Sequence, residues 1–376
     1  MGVRVITEVT DLKGKYVFIR APLNVPVKEG VVTNTFRINQ CIPTITYLCE
    51  RGARVILCSH IGKDGGESIL PVFDVLQKQF VITLSPEVTG EKTTQLRNSL
   101  NDGEILLLEN VRKDEREMKN DVGFAQELAI IADIFVNDDF AASHREHASL
   151  HAICSFLPAY AGLSFAHELN ELTKALHPES PSLFILGGAK FETKIPLVEK
   201  FLALYDTVFI GGAIANDILK AKGYEVGVSL VSDVDLRESA LAVDSKILPL
   251  IDVIAVKDGV QRVALVDAVQ SDESILDVGP ASIEALKPYI RDAATILWNG
   301  PLGNYEGGFK EQTLSCAKAI AESKAFSVVG GGDTVAAIEA SHLSDSFGFL
   351  STAGGAMLTF LEVGTLPALE ALKKNQ

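Results

Sequence analysis

The sequence lacks long hydrophobic runs and is poor in cysteine. No apolar run in its 376 residues reaches the roughly 18 residues that a membrane-spanning helix needs, and its first residues lack a signal-peptide layout. We therefore expect no membrane partner. The five cysteines are odd in number and lie apart among apolar residues, which is typical of reduced core side chains and predicts a cytoplasmic protein.

Positive charge is also scarce. The chain has 34 Lys and Arg against 49 Asp and Glu, a formal net charge of −15. Such a balance argues against nucleic acids and anionic lipid surfaces as partners. A chain of this composition that binds a small anion must concentrate its cations locally.

Several chemistry-bearing motifs are absent as well. The sequence has no G-x-x-x-x-G-K-[ST] loop, no G-x-G-x-x-G fingerprint and no protein-kinase signature set. A tandem-Rossmann dehydrogenase is disfavoured because it needs such a fingerprint with an acidic ribose ligand downstream. His144 and His147 have a metal-like spacing, but Arg145 between them would repel a cation, which disfavours zinc.

What the chain does have is a regular alternation of short β-branched runs and longer amphipathic stretches. This pattern predicts an α/β fold with parallel sheets, and the length predicts two domains. A helical stretch at 159–176 followed by a proline-containing segment at 177–181 predicts the linker between them. The predicted strands are Tyr16–Arg20, Arg54–Ser59, Glu104–Leu108, Ile134–Asn137, Ser182–Leu186, Thr207–Ile210, Val253–Val256, Ala294–Trp298, Ser327–Val329 and Gly348–Ser351.

Basic and polar residues follow the predicted strands of the first half. Ligands of parallel sheets bind beyond the carboxyl ends of the strands, so these side chains predict a pocket for a phosphate or carboxylate. Alternatively, each of them is a solvated loop residue. The set comprises Asn24, Arg37, His60, Lys63, Arg112 and Arg145.

Glycine loops follow the strands of the second half. Glycines let a phosphate approach the backbone, and a following helix N-terminus offers free N–H groups. Asp333 within one loop is a candidate Mg²⁺ ligand, with a helix-capping aspartate as the alternative. The loops are at 187–190, 211–213, 279–280, 300–303, 330–334 and 352–355.

Through these loops and strand ends, the sequence resembles the phosphoglycerate kinase family along essentially its whole length. Two motifs are especially specific in this order, Trp298-Asn299-Gly300-Pro301 and Gly330-Gly331-Gly332-Asp333-Thr334. The others are Arg20–Pro26, Ser59–Lys63, Leu108–Arg112, Asn137–Phe140 with His144-Arg145, Gly187–Lys194 and Ser351–Gly355.

The resemblance implies two Rossmann-like, doubly wound parallel-sheet domains joined by a hinge helix. The implied divisions are 1–158 for phosphoglycerate, 159–181 for hinge and linker, 182–358 for nucleotide, and 359–376 returning to the first domain. It implies 3-phosphoglycerate on the basic set of the first half. It implies ATP or ADP on Gly188, Ala189, Lys194, Gly211, Gly212, Gly279, Asn299, Pro301, Glu306, Gly331, Gly332, Asp333 and Thr334, with Asp333 at Mg²⁺.

The implied reaction moves a phosphoryl group between 1,3-bisphosphoglycerate and ADP, giving 3-phosphoglycerate and ATP. The attacking carboxylate of the reverse direction carries no proton, so no general base is required. Alignment and charge neutralisation are the expected means of catalysis. The candidate catalytic groups are Arg37, Lys190, Lys194, Gly354 and Gly355.

The chain departs from the family at several positions. Pro22 replaces an aspartate that accepts a bond from the substrate hydroxyl, and Asp139 replaces an alanine. Asp139 either compensates for Pro22 or is a solvated or helix-capping aspartate. Lys63 replaces arginine, Asn304 replaces an apolar residue beside the base, and alanines stand at 141, 142, 213 and 353 in place of other small residues.

Pro22 also keeps a second functional class open, a phosphoglycerate-kinase-like binding or regulatory protein with little turnover. Lys194 and Asp333 are intact and favour an enzyme, which we expect to act as a monomer.

Overall fold

The computed structural model describes residues 2–189, 194–234, 236, 241 and 244–375. The chain divides into two compact units, Met1–Asn170 with Val363–Gln376, and Glu171–Glu362. The first division falls inside one helix, Leu163–Ala175, and the second near the end of another, Gly355–Val363.

The first unit is built on a six-stranded sheet. Its order is β5-β6-β4-β1-β7-β8, with every neighbouring pair parallel. A two-residue hairpin, β2 and β3, stands apart. The strands are β1 Tyr16–Arg20, β2 Val27–Lys28, β3 Val31–Val32, β4 Arg54–Cys58, β5 Ile82–Leu84, β6 Ile105–Leu107, β7 Ile134–Asn137 and β8 Ala159–Ala161; the helices are α1 Phe36–Glu50, α2 Leu70–Leu76, α3 Glu91–Ser99, α4 Val122–Ala129 and α5 Leu163–Ala175.

The second unit has a five-stranded parallel sheet, β10-β9-β14-β15-β16, and a three-stranded antiparallel one, β12-β11-β13. Its strands are β9 Ser182–Leu186, β10 Thr207–Ile210, β11 Asp252–Lys257, β12 Val260–Leu265, β13 Ser274–Val278, β14 Thr295–Asn299, β15 Phe326–Gly330 and β16 Phe349–Ser351. The helices that follow α5 are α6 Ile195–Leu204, α7 Gly212–Ala221, α8 Pro280–Asp292, α9 Glu311–Ala321, α10 Gly332–Ala340, α11 Gly355–Val363 and, in the first unit, α12 Pro367–Lys374.

The predicted fold class is confirmed. Central strands are buried on both faces, as in Ile105–Leu107 and Thr295–Asn299, because helices cover parallel sheets. In each unit the chain adds strands to one side of the first strand and then crosses to its other side. This reversal creates a crevice at the carboxyl ends of β1 and β7, and another at those of β9 and β14.

Three details differ from the sequence predictions. The predicted helix at 159–176 begins only at Leu163, since Ala159–Ala161 pairs with β7 as a sheet edge; tertiary pairing overrides the weak strand propensity of alanine. The predicted strand Val253–Val256 lies in the antiparallel sheet, not a parallel one. The prediction also missed the short strands β2, β3 and β5, the largely exposed strand β12, and β13.

No single helix within the described ranges is long and apolar enough to cross a membrane. The bent pair α11 and α12 meets the criterion of length and composition only when its two helices are taken together.

Asn375, immediately after α12, ties the end of that helix to the first unit through its side chain. Asn375 Oδ1 accepts hydrogen bonds from Arg4 Nη2 at 3.0 Å and from the Ala159 amide at 2.8 Å, and Nδ2 donates to the Leu157 carbonyl at 3.0 Å. These bonds hold α12 against the edge strand β8.

We predict that Asn375→Ala lowers the free energy of unfolding of the first unit by about 1–3 kcal/mol, because it leaves backbone groups of 157–159 without partners. Urea unfolding followed by circular dichroism measures the loss. Lys374→Ala, one residue earlier, is the matched control and should change little. Equal stability of the Asn375→Ala variant and the natural protein would contradict this role.

Candidate active site

At the carboxyl ends of β1 and β4, Asn24 links Arg37 to the loop that carries two more of the predicted residues. Arg37 Nη1, on the first turn of α1, donates to the Asn24 carbonyl at 3.0 Å. Asn24 Oδ1 in turn accepts from the Gly62 amide at 3.0 Å. Arg37 is thus held beside the loop that carries His60 and Lys63.

Arg112 is the most deeply placed of the predicted cations, with 5% of its surface exposed. Its Nη1 donates to the carbonyls of Gly62 at 2.7 Å and Lys63 at 3.2 Å. Its Nε is buried without a hydrogen-bond partner. Burial, and then the positive charges of Arg145 and Arg20, lower the pKa of Arg112. The cation therefore lies in surroundings that favour an added negative charge.

His60 is buried beside Arg20, whose Nη2 lies 2.7 Å from His60 Nδ1. Burial, followed by the charges of Arg20 and Arg112, holds the pKa of His60 far below its usual range. The ring is neutral under ordinary conditions, so it can take part in hydrogen bonding but adds no charge.

The remaining predicted cations of this face are exposed. Lys63 is exposed, and Arg145 Nε lies 3.2 Å from His144 Nε2. His147, which the sequence analysis did not select, is buried next to them with Nδ1 lacking a hydrogen bond. Burial and then the charges of Arg20 and Arg112 lower its pKa to about 4.

Asp139 does not present a free carboxylate. It is 1% exposed. Its Oδ1 accepts from the Ala142 amide at 3.0 Å as the cap of a short turn, and its Oδ2 pairs with Arg20 Nη1 at 2.7 Å. The capping alternative of the sequence analysis is the one observed, although the carboxylate is buried rather than solvated. Compensation for Pro22 by direct contact has no support here.

In the second unit the strand-end glycines border a cavity of about 310 Å³. Its wall includes six residues of the predicted nucleotide set: Gly188, Ala189, Gly212, Pro301, Glu306 and Asp333. It also includes Ala213, Leu230, Ile275, Leu276, Asp277, Gly303, Asn304 and Tyr305, of which only Ala213, Gly303 and Asn304 had been noted as loop or departure positions. Other predicted members lie outside this wall, namely Lys194, Gly211, Gly279, Asn299, Gly331, Gly332 and Thr334.

Two glycines of these loops are required by close backbone approach. Gly212 has φ +64°, and a Cβ there would lie 2.6 Å from the Gly188 nitrogen. Gly300 has φ +89°, and a Cβ would lie 2.4 Å from the Gly187 carbonyl oxygen. The loops after β9, β10 and β14 therefore pack backbone to backbone.

Gly279 needs a correction. The sequence pattern groups its loop with those that follow strands of parallel sheets, but Gly279 follows β13 of the antiparallel sheet and precedes α8. A Cβ at Gly279 would meet the Asp252 carboxylate, which caps α8 by accepting from the amides of Ala281 and Ser282. Close packing thus accounts for this glycine.

Lys194 lies immediately before α6 and is buried, with Nζ donating to the Gly187 carbonyl at 2.6 Å. Burial lowers the pKa of this amine to about 8. The other predicted lysine, Lys190, lies outside the described residues.

Asp333 is in the first turn of α10 rather than at its cap, which is Gly331. Its neighbour Thr334 is fully buried, and Thr334 Oγ1 has no hydrogen-bond partner. Gly354 and Gly355 are at the start of α11, where Gly354 has φ +53°. Both helix starts follow neighbouring strands of the same parallel sheet, β15 and β16.

Asn304 lies on the cavity wall, and its Oδ1 accepts from the Gly307 amide at 3.0 Å. The side-chain oxygen thus closes a local turn. Of the other departures, Ala142 and Ala353 are buried.

Comparison with known proteins decides the family. Residues 6–364 match the model of the phosphoglycerate kinase family. The chain belongs to the phosphoglycerate kinase family. It is 41% identical to the phosphoglycerate kinase of Sinorhizobium medicae over 100% of both chains, and 42% identical to that of Bradyrhizobium diazoefficiens over 96% of this chain and 97% of the other.

Solved structures agree. The phosphoglycerate kinase of Coxiella burnetii superimposes with a TM-score of 0.88 at 37% identity, and that of Pyrococcus horikoshii with 0.85 at 29% identity, each covering 99% of both chains. The chain is therefore a phosphotransferase that acts on phosphoglycerate with ATP or ADP as co-substrate. The alternative of a binding or regulatory protein without turnover is not favoured.

Three polar residues near these sites were missed in the sequence. Arg20 occupies the last position of a predicted buried strand, and a buried charge needs a partner. Its position in the sequence could therefore have indicated a buried ion pair. Glu117 is fully buried and accepts from the Ser149 hydroxyl and amide, with no local pattern to mark it. Asp277 borders the cavity, and burial raises its pKa to about 7, but its strand was not predicted.

The lowered pKa of Lys194 predicts how stability depends on pH. The folded protein holds this proton less tightly than the unfolded chain, whose lysine has a pKa of 10.5. Stability therefore rises with pH between about 8 and 10.5, where the unfolded state binds more protons. Urea unfolding across that range should show this rise in the natural protein and not in Lys194→Met. The exposed Lys287→Met is the control and should keep it. A rise of equal size in Lys194→Met would show that another group causes it.

Proposed function

We propose that the first unit binds 3-phosphoglycerate on Asn24, Arg37, His60, Lys63, Arg112 and Arg145, and that the second binds ATP or ADP at the cavity bordered by Gly188, Ala189, Gly212, Pro301, Glu306 and Asp333. The observation that carries the proposal is Arg112, a buried guanidinium whose Nε has no hydrogen-bond partner. Gly211, Gly279, Asn299, Gly331, Gly332 and Thr334 complete the proposed nucleotide set.

Arg112 supports an anion site for a specific physical reason. A buried guanidinium is normally paired with a carboxylate, yet the recorded ion pairs of the described residues include none for Arg112. Its Nε lacks a partner and its pKa is lowered. A phosphate would accept from the guanidinium and offset the repulsion from Arg145.

The chemistry of 3-phosphoglycerate suits this face, because the molecule carries a phosphate and a carboxylate on one short carbon chain. Arg37 donates to the Asn24 carbonyl, whereas Arg112 donates to the carbonyls of the 62–63 loop. Two separately held cations are therefore available for the two anionic groups. Arg37 on the carboxylate would leave Arg112 with the phosphate.

The second unit suits a nucleotide because its strand ends combine a cavity with the N-terminal ends of helices. Gly188, Ala189 and Gly212 keep one wall free of large side chains, while Ile275 and Leu276 offer apolar surface to a base. Lys194 Nζ donates to the Gly187 carbonyl at the same strand ends. We expect this amine to bind a phosphate of the nucleotide.

Mg²⁺ fits the residues present at Asp333. Mg²⁺ usually takes one or two protein carboxylates together with phosphate oxygens and waters, and Asp333 is a carboxylate on the cavity wall beside the unpartnered Thr334 hydroxyl. When bound there, the ion would neutralise charge on the nucleotide phosphates.

The proposed mechanism is in-line transfer without a general base. The carboxylate of 3-phosphoglycerate carries no proton, so the protein has only to align the reactants and stabilise the charge of the moving phosphoryl group. We assign that charge stabilisation to Arg37, Lys190 and Lys194, with the N–H groups at Gly354 and Gly355. Closure of the hinge between the two units would bring the substrates together.

We further propose that the protein acts as a monomer in the cytoplasm. One chain carries both proposed substrate sites, so catalysis needs no residue from a second copy. All five cysteines are free, which suits a reducing compartment.

The assignment of Arg37 predicts a specific kinetic defect. Charge on the phosphoryl group peaks during transfer, so Arg37→Ala should lower kcat by roughly 10²–10³-fold with a smaller change in KM. Arg51→Ala, just past the other end of α1, is the control. A coupled assay with 3-phosphoglycerate and MgATP measures both. An Arg37→Ala enzyme with nearly full kcat is incompatible with the assignment.

Pro22 predicts a repairable weakness in substrate binding. Because Asp139 is already bonded to Arg20, nothing observed replaces the missing acceptor for the substrate hydroxyl. Pro22→Asp should therefore lower KM for 3-phosphoglycerate by about tenfold, the worth of one hydrogen bond. Pro26→Asp, in the same loop but exposed, controls for the added charge. A higher KM in Pro22→Asp would mean that the substrate hydroxyl lies elsewhere.

A further inference from the structure

A buried set of hydrogen bonds lies behind His60 and is not used by the proposed mechanism. At its centre is Arg20, which has no exposed surface. Its guanidinium donates to Asp139 Oδ2 at 2.7 Å, to Ser149 Oγ at 3.0 Å and to the Ala21 carbonyl at 3.0 Å, and it contacts His60 Nδ1 at 2.7 Å. With no exposed surface, Arg20 is not available to a ligand in this structure.

The contact with His60 determines where the histidine carries its proton. A guanidinium has five N–H donors and no acceptor. His60 Nδ1 must therefore accept, which leaves it without a proton. A neutral imidazole has one N–H, so the hydrogen is on Nε2.

Arg20 is itself held from two other sides. Asp139 supplies the opposite charge, and its second oxygen is fixed by the Ala142 amide. The Ser149 hydroxyl lies 2.6 Å from Glu117 Oε1 and donates to it, which leaves a lone pair of Ser149 Oγ for Arg20 Nε. Acceptors therefore face Nε, Nη1 and Nη2 of Arg20, and together they fix the plane of the guanidinium.

We propose that Arg20 and Asp139 are positioning residues that fix His60 as a neutral Nε2–H donor toward an acceptor oxygen of the substrate. This inference rests on the proposed placement of 3-phosphoglycerate at His60. Asp139 acts through Arg20, and neither residue contacts the substrate. The histidine contributes direction to the site, while the charge comes from the surrounding arginines.

The charges around His60 also favour the neutral ring. Arg20 comes from β1, Arg112 from the loop after β6, and Arg145 and His147 from the loop after β7; each disfavours a second proton on the ring. Asp139 is neutralised by Arg20 in the ion pair. The ring should therefore keep one N–H throughout the pH range in which the protein is folded.

Ring nitrogen NMR tests the tautomer directly on the natural protein. Long-range ¹H–¹⁵N spectra of the ¹⁵N-labelled chain give signals for its seven histidines, and the His60 signal is assigned as the one lost in His60→Gln. We expect a protonated Nε2 and a bare Nδ1 with no change between about pH 5.5 and pH 8. A ring that titrates in this range, or one protonated on Nδ1, would overturn the inference.

Removing the ion pair tests whether Arg20 and Asp139 impose this state. Replacing a buried pair by apolar residues is often tolerated, so Arg20→Met with Asp139→Ala is the variant of choice. We expect the second tautomer to be populated, and KM for 3-phosphoglycerate to rise about tenfold with kcat changed less. The control is Arg262→Met with Glu273→Ala, an Arg–carboxylate pair in the second unit. An unaltered His60 spectrum in the first double variant would contradict the inference.

Two single variants separate this inference from the proposed function. The amide nitrogen of glutamine reaches as far as imidazole Nε2, whereas that of asparagine reaches only to Nδ1. We expect His60→Gln to keep KM for 3-phosphoglycerate within a few-fold and His60→Asn to raise it about tenfold. An unchanged KM in His60→Asn would remove His60 from the substrate site and overturn the inference with it. A wrong tautomer in the NMR experiment would leave the substrate site standing.

Discussion

The first unit gathers arginines at one edge of its sheet, and one of them, Arg112, is buried with no hydrogen-bond partner for its Nε. In a chain with a net charge of −15, Arg20 ends β1, Arg112 follows β6 and Arg145 follows β7 at one edge of the sheet. Burial, and then the charges of Arg145 and Arg20, lower the pKa of Arg112. Such an arrangement opposes folding, and the sheet must hold it in place. The consequence is a site that is preorganised for an anion, because its cations are already in place before the ligand binds.

Only one of these cations is neutralised internally. Arg20 is paired with Asp139 and donates to His60, whereas Arg112 has a buried nitrogen with no partner. This division separates a cation that orients a neighbour from a cation that remains available to substrate. Pro22 and Asp139, two departures at this face, thus have different consequences: one removes an acceptor, and the other supplies a counterion.

Much of this organisation could be predicted from the sequence. The central strands are apolar on both faces, so their positions and the α/β class follow from composition and periodicity, and the residues after those strands follow from the geometry of parallel sheets. Ala159–Ala161 and Ser274–Val278 could not be predicted, because pairing with neighbours rather than local propensity makes them strands. Glu117 and Arg20 lie far apart in the sequence, and only the folded structure shows that their charges interact.

The most direct test of this cationic site is the proton exchange that accompanies binding of 3-phosphoglycerate. An anion beside His147 should raise its pKa from about 4 toward the ordinary value. The substrate phosphate, whose second pKa is about 6, also exchanges protons, so the deciding quantity is the difference between the natural protein and His147→Gln. Calorimetric titrations in buffers of different ionisation enthalpy measure the number of protons taken up or released on binding. The account predicts that at about pH 5 the natural protein takes up more protons, or releases fewer, than His147→Gln, and that the two agree at about pH 8. Equal numbers in the two proteins at about pH 5 would contradict it.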